Sequence, residues 1–137
     1  MLLNKKFILA SSSLSRYKIL KNNNLNFIKI KPTCHEEKIK KKLVKQKKSP
    51  SSISLELSKA KAESVSKKIK NKIVVGCDTI IVFNNTLLSK AKNLTEAKKK
   101  LSNFRAKNIS CIQVFLFFTT QKKFGTVIKN QKLRLEN

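Results

Sequence analysis

Apolar residues recur along this chain in short runs, and the spacing within each run predicts a strand or a helix. Residues 7–10 and 25–30 have the composition of two short strands. Between them, Tyr17, Ile19 and Leu20 form the apolar side of a predicted helix, and the three serines that precede it are favoured N-cap residues. The first thirty residues therefore predict a strand, a helix and a second strand, which Pro32 ends.

The middle of the chain predicts two helices followed by a hairpin. Residues 38–48 are rich in lysine but carry apolar residues at helical spacing, which indicates a short solvated helix. Ser49-Pro50 is a helix-start signal, and the apolar face of the helix that follows contains Ile53, Leu57, Ala60, Val65 and Ile69. Residues 73–83 then read as a strand, Asn84-Asn85 as a hairpin turn and residues 86–88 as the returning strand.

The last third of the chain predicts one helix and two strands. Asn93 and Glu96 have the spacing of a capping box and open a helix whose inward side holds Leu94, Ala97 and Leu101. Residues 108–119 and 126–135 are predicted as strands, with a turn at 121–124. Because strands alternate with helices, the sequence predicts one α/β domain over residues 1–137, with a mixed sheet flanked by helices.

The net charge of the chain indicates which classes of molecule it could bind. The formal net charge is +25, and 29 of the 32 basic residues are lysines. This predicts a polyanionic partner such as a nucleotide, a nucleic acid or an anionic membrane surface. A general bias towards lysine at surface positions explains most of the same charge, and arginine, which suits bidentate phosphate recognition, is scarce.

The spacing of the cysteines and the lengths of the apolar runs predict the cellular compartment of the protein. The three cysteines lie far apart, which is not the pattern of a disulfide framework or a zinc site and favours a reducing cytoplasm. The apolar runs are too short for a signal peptide or a membrane span. We therefore expect a soluble, cytoplasmic protein without a membrane partner.

Asp78 is the only aspartate, and it interrupts the apolar strand at 73–83. An ionised carboxylate is costly to bury unless a cation or hydrogen bonds compensate for it. The position therefore predicts either a functional carboxylate or a structural one that is held by hydrogen bonds.

Further polar residues are candidates to work with Asp78. The hydroxyls of Ser11 and Ser13, with Arg16, lie at a strand-to-helix junction that suits an anion, although serines also cap helices without any catalytic role. Glu36 follows Pro32 and offers a second carboxylate for a divalent cation such as Mg²⁺, or simply begins a solvated helix. Lysines neutralise polyphosphates, but spacing alone does not select any one of the 29.

Six motifs occur in the order that is typical of one known family. The segments are ILASSSLSR (8–16), PTCHE (32–36), LSKAKA (57–62), VGCDT (75–79), LSK (88–90) and EAKKKL (96–101). Together they resemble the Maf family of nucleoside triphosphate pyrophosphatases. The resemblance implies a fold shared with inosine triphosphate pyrophosphatases. It also implies hydrolysis of a nucleoside triphosphate to the monophosphate and pyrophosphate, which clears non-standard or excess nucleotides.

The resemblance also assigns roles to residues. It implies Asp78 as the catalytic base and a metal ligand, and Glu36 as a second ligand, for Mg²⁺ or Mn²⁺. The phosphate-binding residues that it implies are Ser11, Ser13, Arg16, Lys61 and Lys90.

The sequence departs from the family pattern at several positions. Ser15 replaces an arginine, His35 an aspartate, Ala91 a proline and Ile109 a histidine. The family's C-terminal segment is expected to be missing from residues 1–137. The alternative function is therefore a decayed family member that binds nucleotides, or nucleic acid non-specifically, without catalysis. A homodimer is among the expected assemblies.

Overall fold

The computed structural model describes residues 5–104, 108–118 and 123–134. Its strands are β1 (Phe7–Ala10), β2 (Phe27–Ile30), β3 (Val74–Phe83), β4 (Thr86–Leu87), β5 (Asn108–Phe118) and β6 (Lys123–Arg134). Its helices are α1 (Leu14–Asn22), α2 (Glu36–Lys45), α3 (Pro50–Ser66) and α4 (Leu94–Asn103).

The strands of the described residues form one mixed sheet in the order β2-β1-β3-β5-β6, and β4 pairs with the end of β3. β1 lies parallel to β2 and β3, whereas β5 runs antiparallel to both β3 and β6. Ala10 at the end of β1 is paired with Gly76, two residues before Asp78. The predicted α/β class with a mixed sheet is confirmed, and the sheet register places the end of β1 close to Asp78.

Local signals explain where the elements begin. Ser49 caps α3 by accepting a hydrogen bond from the Ser52 N–H, and Pro50 is its first residue. Asn93 caps α4 in the same way through the Glu96 N–H. Asn84 and Asn85 both have positive φ, as a two-residue hairpin turn requires.

Helix α3 packs on the sheet and contributes residues to two apolar clusters. One contains Ile8, Ala10, Ala62, Val65 and Val74. The other contains Ile53, Leu57 and Ile80. Lys61 of α3 and Asp78 of β3 lie between the two clusters along their elements, so a charged pair separates two apolar parts of one helix–sheet interface.

Gly76 allows α3 to approach β3 closely. A Cβ atom at this position would overlap the Ser58 carbonyl oxygen and would lie 2.9 Å from the Ala62 Cβ. Most of the obstruction is helix backbone, which cannot turn away as a side chain can. A glycine at 76 therefore fixes the helix–sheet spacing that brings Lys61 to Asp78.

Gly76→Ala is expected to lower the free energy of unfolding by about 1–3 kcal/mol, because the added methyl group forces α3 away from the sheet. Urea denaturation followed by circular dichroism measures the change. A loss below about 0.5 kcal/mol, the usual range for a neutral surface change, would contradict the proposed close contact.

Several predicted details are wrong. Leu94 and Leu101 of α4 are 71% and 57% exposed rather than inward. Periodicity identifies the apolar side of a helix, but it does not tell whether another element covers that side. Ile69 lies beyond the end of α3, although it packs against the core.

Two boundaries also differ from the prediction. Helix α2 begins at Glu36 rather than at residue 38, with both glutamates in its first turn, where the helix dipole favours negative charge. Strand β6 begins at Lys123, so residues 123–124 are not part of a turn. The rest of the predicted turn, at 121–122, and the predicted strand ends at 119 and 135 lie outside the described residues.

Among the described residues, no helix combines the length and the apolar character that a membrane crossing requires.

Candidate active site

Lys61 links two carboxylates that come from different elements. Its Nζ lies 2.8 Å from Asp78 Oδ1 and 3.0 Å from Glu36 Oε2. Lys61 and Asp78 are 5% and 8% exposed, whereas the Glu36 side chain is 38% exposed. The cluster therefore has a buried side, where Lys61 meets Asp78, and an open side at Glu36.

The two carboxylate oxygens of Asp78 differ in their contacts with the described residues. Oδ1 accepts the hydrogen bond from Lys61, while Oδ2 is buried and, among the described residues, has no hydrogen-bond partner. A buried carboxylate oxygen without a partner is costly, and such atoms often serve a catalytic proton or an ion. Asp78 Oδ2 is therefore the atom of this cluster that is best placed for chemistry.

Lys61 remains a cation at neutral pH. Burial by itself would lower the pKa of its ammonium group, but the charges and hydrogen bonds of Asp78 and Glu36 outweigh burial and raise this pKa above its ordinary value. Lys61 is consequently unsuited to act as a general base, and its role is to supply positive charge.

Cys34 lies close enough to the same cluster to respond to its charges. Burial, followed by the charge of Glu36, raises the pKa of the Cys34 thiol. The thiol therefore stays protonated at neutral pH, which makes it a poor nucleophile or metal ligand.

A second polar cluster joins the end of β1 to α1 and β3. Arg16 donates from Nη1 to Ser11 Oγ at 3.2 Å and from Nη2 to Thr79 Oγ1 at 2.9 Å. Ser11 Oγ also accepts from the Ser13 N–H, and Ser13 Oγ caps α1 by accepting from the Arg16 N–H. The three predicted phosphate binders Ser11, Ser13 and Arg16 therefore come together, with their polar atoms engaged mainly with one another.

The two clusters meet at adjacent residues of β3. Asp78 contacts α3 through Lys61, whereas Thr79 contacts α1 through Arg16. Successive side chains of a strand point to opposite faces of the sheet. The acidic cluster and the serine–arginine cluster therefore lie on either side of the β3 backbone, where β1 ends.

An open cleft of 1160 Å³ adjoins the acidic cluster. Glu36 lines it together with Ser12, which lies two residues after β1, and Lys90 lines it from the segment after β4. Lys90 is exposed, and no contact joins it to Lys61 or Asp78 in the described chain. Of the predicted site residues, Asp78, Glu36 and Lys61 thus form one cluster, and Lys90 lies on the cleft wall.

The donor set can be compared with what a divalent cation requires. Within residues 5–104, 108–118 and 123–134, no three His, Cys, Asp or Glu side chains form a metal-binding group. Mg²⁺ is commonly held by one or two protein carboxylates together with substrate phosphates and water. The free Oδ2 of Asp78 and the half-exposed carboxylate of Glu36 fit that mode, provided that the substrate supplies further oxygen ligands.

Sequence reasoning overlooked two parts of the site. Thr79 was not predicted as a partner of Arg16, and hydroxyl–guanidinium pairing across 63 residues leaves no local signal. Four lysines of α2 are exposed, as a solvated helix predicts, but the sequence does not show that these residues, Lys38, Lys41, Lys42 and Lys45, all line the cleft. Their spacing of three, four and seven residues is the available signal, because such residues share one face of a helix.

The acidic cluster, the serine–arginine cluster and the lysine-lined cleft lie on an α/β fold. A family model described as Maf-like protein matches residues 6–136, which is nearly the whole chain. The chain belongs to the Maf family, as its motifs predicted.

Curated relatives carry the names of nucleotide-hydrolysing enzymes. A nucleoside triphosphate pyrophosphatase from Pelagibacter ubique is 36% identical over 104 residues, which cover 75% of this chain and 53% of the relative. A dTTP/UTP pyrophosphatase from Pyrococcus furiosus is 30% identical, with 95% and 65% covered. A 7-methyl-GTP pyrophosphatase from Pseudoalteromonas translucida is 34% identical, with 75% and 48% covered. The chain thus spans about half to two thirds of the length of these relatives.

The fold also resembles a solved structure. The Ham1 protein of Staphylococcus aureus matches with a TM-score of 0.51 and 15% identity, over 94% of this chain and 70% of that one. At this identity the similarity concerns the fold alone.

Proposed function

We propose that this protein is a nucleoside triphosphate pyrophosphatase, which hydrolyses a ribo- or deoxyribonucleoside triphosphate to the monophosphate and pyrophosphate. The observation that carries the proposal is the Lys61 bridge between Asp78 and Glu36. Among the described residues Asp78 Oδ2 has no hydrogen-bond partner, and Glu36 connects the cluster to a basic cleft. The names of the relatives support the same reaction.

The reaction assigns distinct tasks to the residues. Water adds to the α-phosphorus. The bond from this phosphorus to the oxygen that bridges the α- and β-phosphates breaks, and pyrophosphate leaves with that oxygen. Asp78 Oδ2 accepts the proton of the water, and Lys61 holds Oδ1 so that the carboxylate keeps its orientation. Ser11, Ser13, Arg16 and Lys90 bind the phosphate oxygens, and the positive charge of Arg16 and Lys90 stabilises the charge that develops on the leaving group.

Asp78 and Glu36 would hold the divalent cation, Mg²⁺ or Mn²⁺. Such a cation, when bound, neutralises phosphate charge and acts as a Lewis acid on a phosphoryl oxygen. Because the Lys61 ammonium lies between the two carboxylates, it limits their mutual repulsion and keeps both directed to one place.

Pyrophosphate release from a panel of canonical and methylated nucleoside triphosphates tests the proposed reaction. With Mg²⁺ or Mn²⁺ we expect turnover of at least one nucleotide, and chelation by EDTA should reduce release to background because the carboxylates then lack their cation. Adding back the metal should restore release. No turnover across the panel with either metal would reject the reaction.

Binding of nucleotides without hydrolysis is a second candidate function. The departures from the family motifs favour it, because Ser15 and His35 stand where the family pattern has a charged arginine and a charged aspartate. Calorimetric nucleotide binding in the absence of pyrophosphate release would select this candidate over the enzyme.

We also propose a cytoplasmic location and a homodimer. Three free cysteines among the described residues suit a reducing compartment. Edge strand β6 exposes Val127 and Ile128, and exposed strand edges favour pairing with another chain. Light scattering at low and high salt measures the assembly, and a monomer under both conditions would reject the dimer.

A further inference from the structure

Helix α2 presents a row of four lysines to the cleft. Lys38, Lys41, Lys42 and Lys45 lie at relative positions 0, 3, 4 and 7, so they occupy one face over two turns. We call these four residues the lysine row. The opposite side of α2 packs against the core through Ile39 and Leu43, which fixes the direction in which the lysines point.

The lysine row is available to a ligand. All four side chains are exposed, and within the described chain none of their ammonium groups has an ion-pair or hydrogen-bond partner. Lys31 and Lys90 also line the cleft. Six ammonium groups therefore surround one concave space, and their mutual repulsion is relieved when an anion enters.

The cleft changes in charge along α2. Its first turn holds Glu36 and Glu37, and Glu36 belongs to the cluster with Lys61 and Asp78. The lysine row follows and extends over about 10 Å, at a rise of about 1.5 Å per residue. Phosphates that react beside Asp78 therefore leave the far end of the row free for additional negative charge.

The residues that line the cleft indicate what kind of anion fits. Among them there is no Phe, Tyr or Trp, and Arg16 is not part of the lining. Proteins that bind single-stranded nucleic acid use aromatic side chains on which bases stack. A wall of lysines without aromatic rings favours closely spaced phosphates over nucleobases.

We propose that the lysine row binds a phosphate chain longer than a triphosphate, such as a nucleoside polyphosphate or inorganic polyphosphate, in continuation of the triphosphate site. The position of the reacting phosphates rests on the proposed function, but the binding of the chain to the row does not require hydrolysis. The row thereby selects ligands by the number of their phosphates.

Direct binding measurements on the full chain test the proposal. The row variant is K38Q/K41Q/K42Q/K45Q, and its matched control is K67Q/K68Q/K70Q/K72Q, which removes the same charge at exposed lysines outside the cleft. Calorimetry with long-chain inorganic polyphosphate should show at least about tenfold weaker binding for the row variant, and a salt slope reduced by up to about 3. Pyrophosphate affinity should change less than about twofold in both variants, because two phosphates do not need the row.

Three results would overturn the proposal. Equal losses in the row and control variants would mean that overall charge alone binds polyphosphate. An equal loss for oligo(dT) would mean that the row is a nucleic-acid surface, and no binding of polyphosphate to the unaltered chain would remove the ligand altogether. The pyrophosphate-release assay is a separate measurement. If the protein does not release pyrophosphate but the row variant still binds polyphosphate more weakly than the control, only the proposed hydrolysis is rejected.

Discussion

Asp78→Asn is expected to lower kcat for pyrophosphate release by about 10²–10⁴-fold, the usual range for removal of a general base. The neutral carboxamide of asparagine neither accepts the proton of water nor offers a charged ligand to a cation. The substitution keeps the shape of the side chain, so it separates chemistry from packing. Steady-state kinetics with the preferred nucleotide gives the ratio of the two kcat values.

Glu56→Gln is the matched control for Asp78→Asn. Glu56 lies on α3 and is exposed, so the variant loses the same unit of charge away from the cluster. Its kcat should stay within about twofold of the unaltered protein, as for a distant surface change. A similar kcat for Asp78→Asn and the unaltered chain would show that Asp78 is a structural carboxylate.

Lys61→Met is expected to lower the free energy of unfolding by about 3–5 kcal/mol, because it leaves the buried Asp78 carboxylate without its cation. Methionine fills a comparable volume, so the lower free energy of unfolding results from the missing charge and not from a cavity. Chemical denaturation at neutral pH measures the change. Lys59→Met, at an exposed position on the same helix, is the control and should change stability by less than about 0.5 kcal/mol.

The double variant Lys61→Met/Asp78→Asn identifies the source of that loss. If an unpaired charge is responsible, replacing Asp78 by the neutral amide should restore part of the stability, and the two substitutions should be non-additive by about 1–3 kcal/mol. Additive losses would mean that Lys61 stabilises the fold by packing of its aliphatic chain.

The pH dependence of the Lys61 effect follows from the direction of its pKa shift. Folding raises the pKa of Lys61, so its contribution is fully present below the ordinary lysine pKa of 10.5 and is lost as the pH rises through the higher pKa of the folded state. The difference in stability between the unaltered chain and Lys61→Met should therefore be constant from neutral pH to about 10 and should shrink above it. A difference that shrinks already between pH 7 and 9 would contradict the raised pKa.

Much of the local structure was predictable, for reasons that particular residues show. Ser49-Pro50 and Asn93 predicted the starts of α3 and α4. The first N–H groups of a helix need acceptors, which the side chains of Ser49 and Asn93 supply. Asn84-Asn85 predicted the turn after β3, because asparagine tolerates positive φ. Exposure was less predictable. Leu94 and Leu101 have the spacing of a buried face, but none of the described elements covers them closely enough to bury them.

For the candidate site, the sequence pointed to Asp78 because a lone carboxylate in an apolar strand needs a partner. Physical spacing did not identify that partner, since Lys61 is one lysine among 29 and lies 17 residues away on another element. The family motifs selected Lys61, Glu36 and Arg16 but said nothing of their mutual contacts.

The sequence by itself determined the alternation of strands and helices, the family and the candidate site residues, because caps, turns, apolar periods and motifs are local. Only the tertiary structure decided that Lys61 bridges Asp78 and Glu36, that Arg16 bonds to Thr79, and that the lysines of α2 face a cleft. The Lys61–Asp78 contact depends on how closely α3 approaches β3 over Gly76, and the Arg16–Thr79 contact depends on the register of β1 and β3. Such distances arise from packing between elements that are distant in the chain, and local sequence patterns do not encode them.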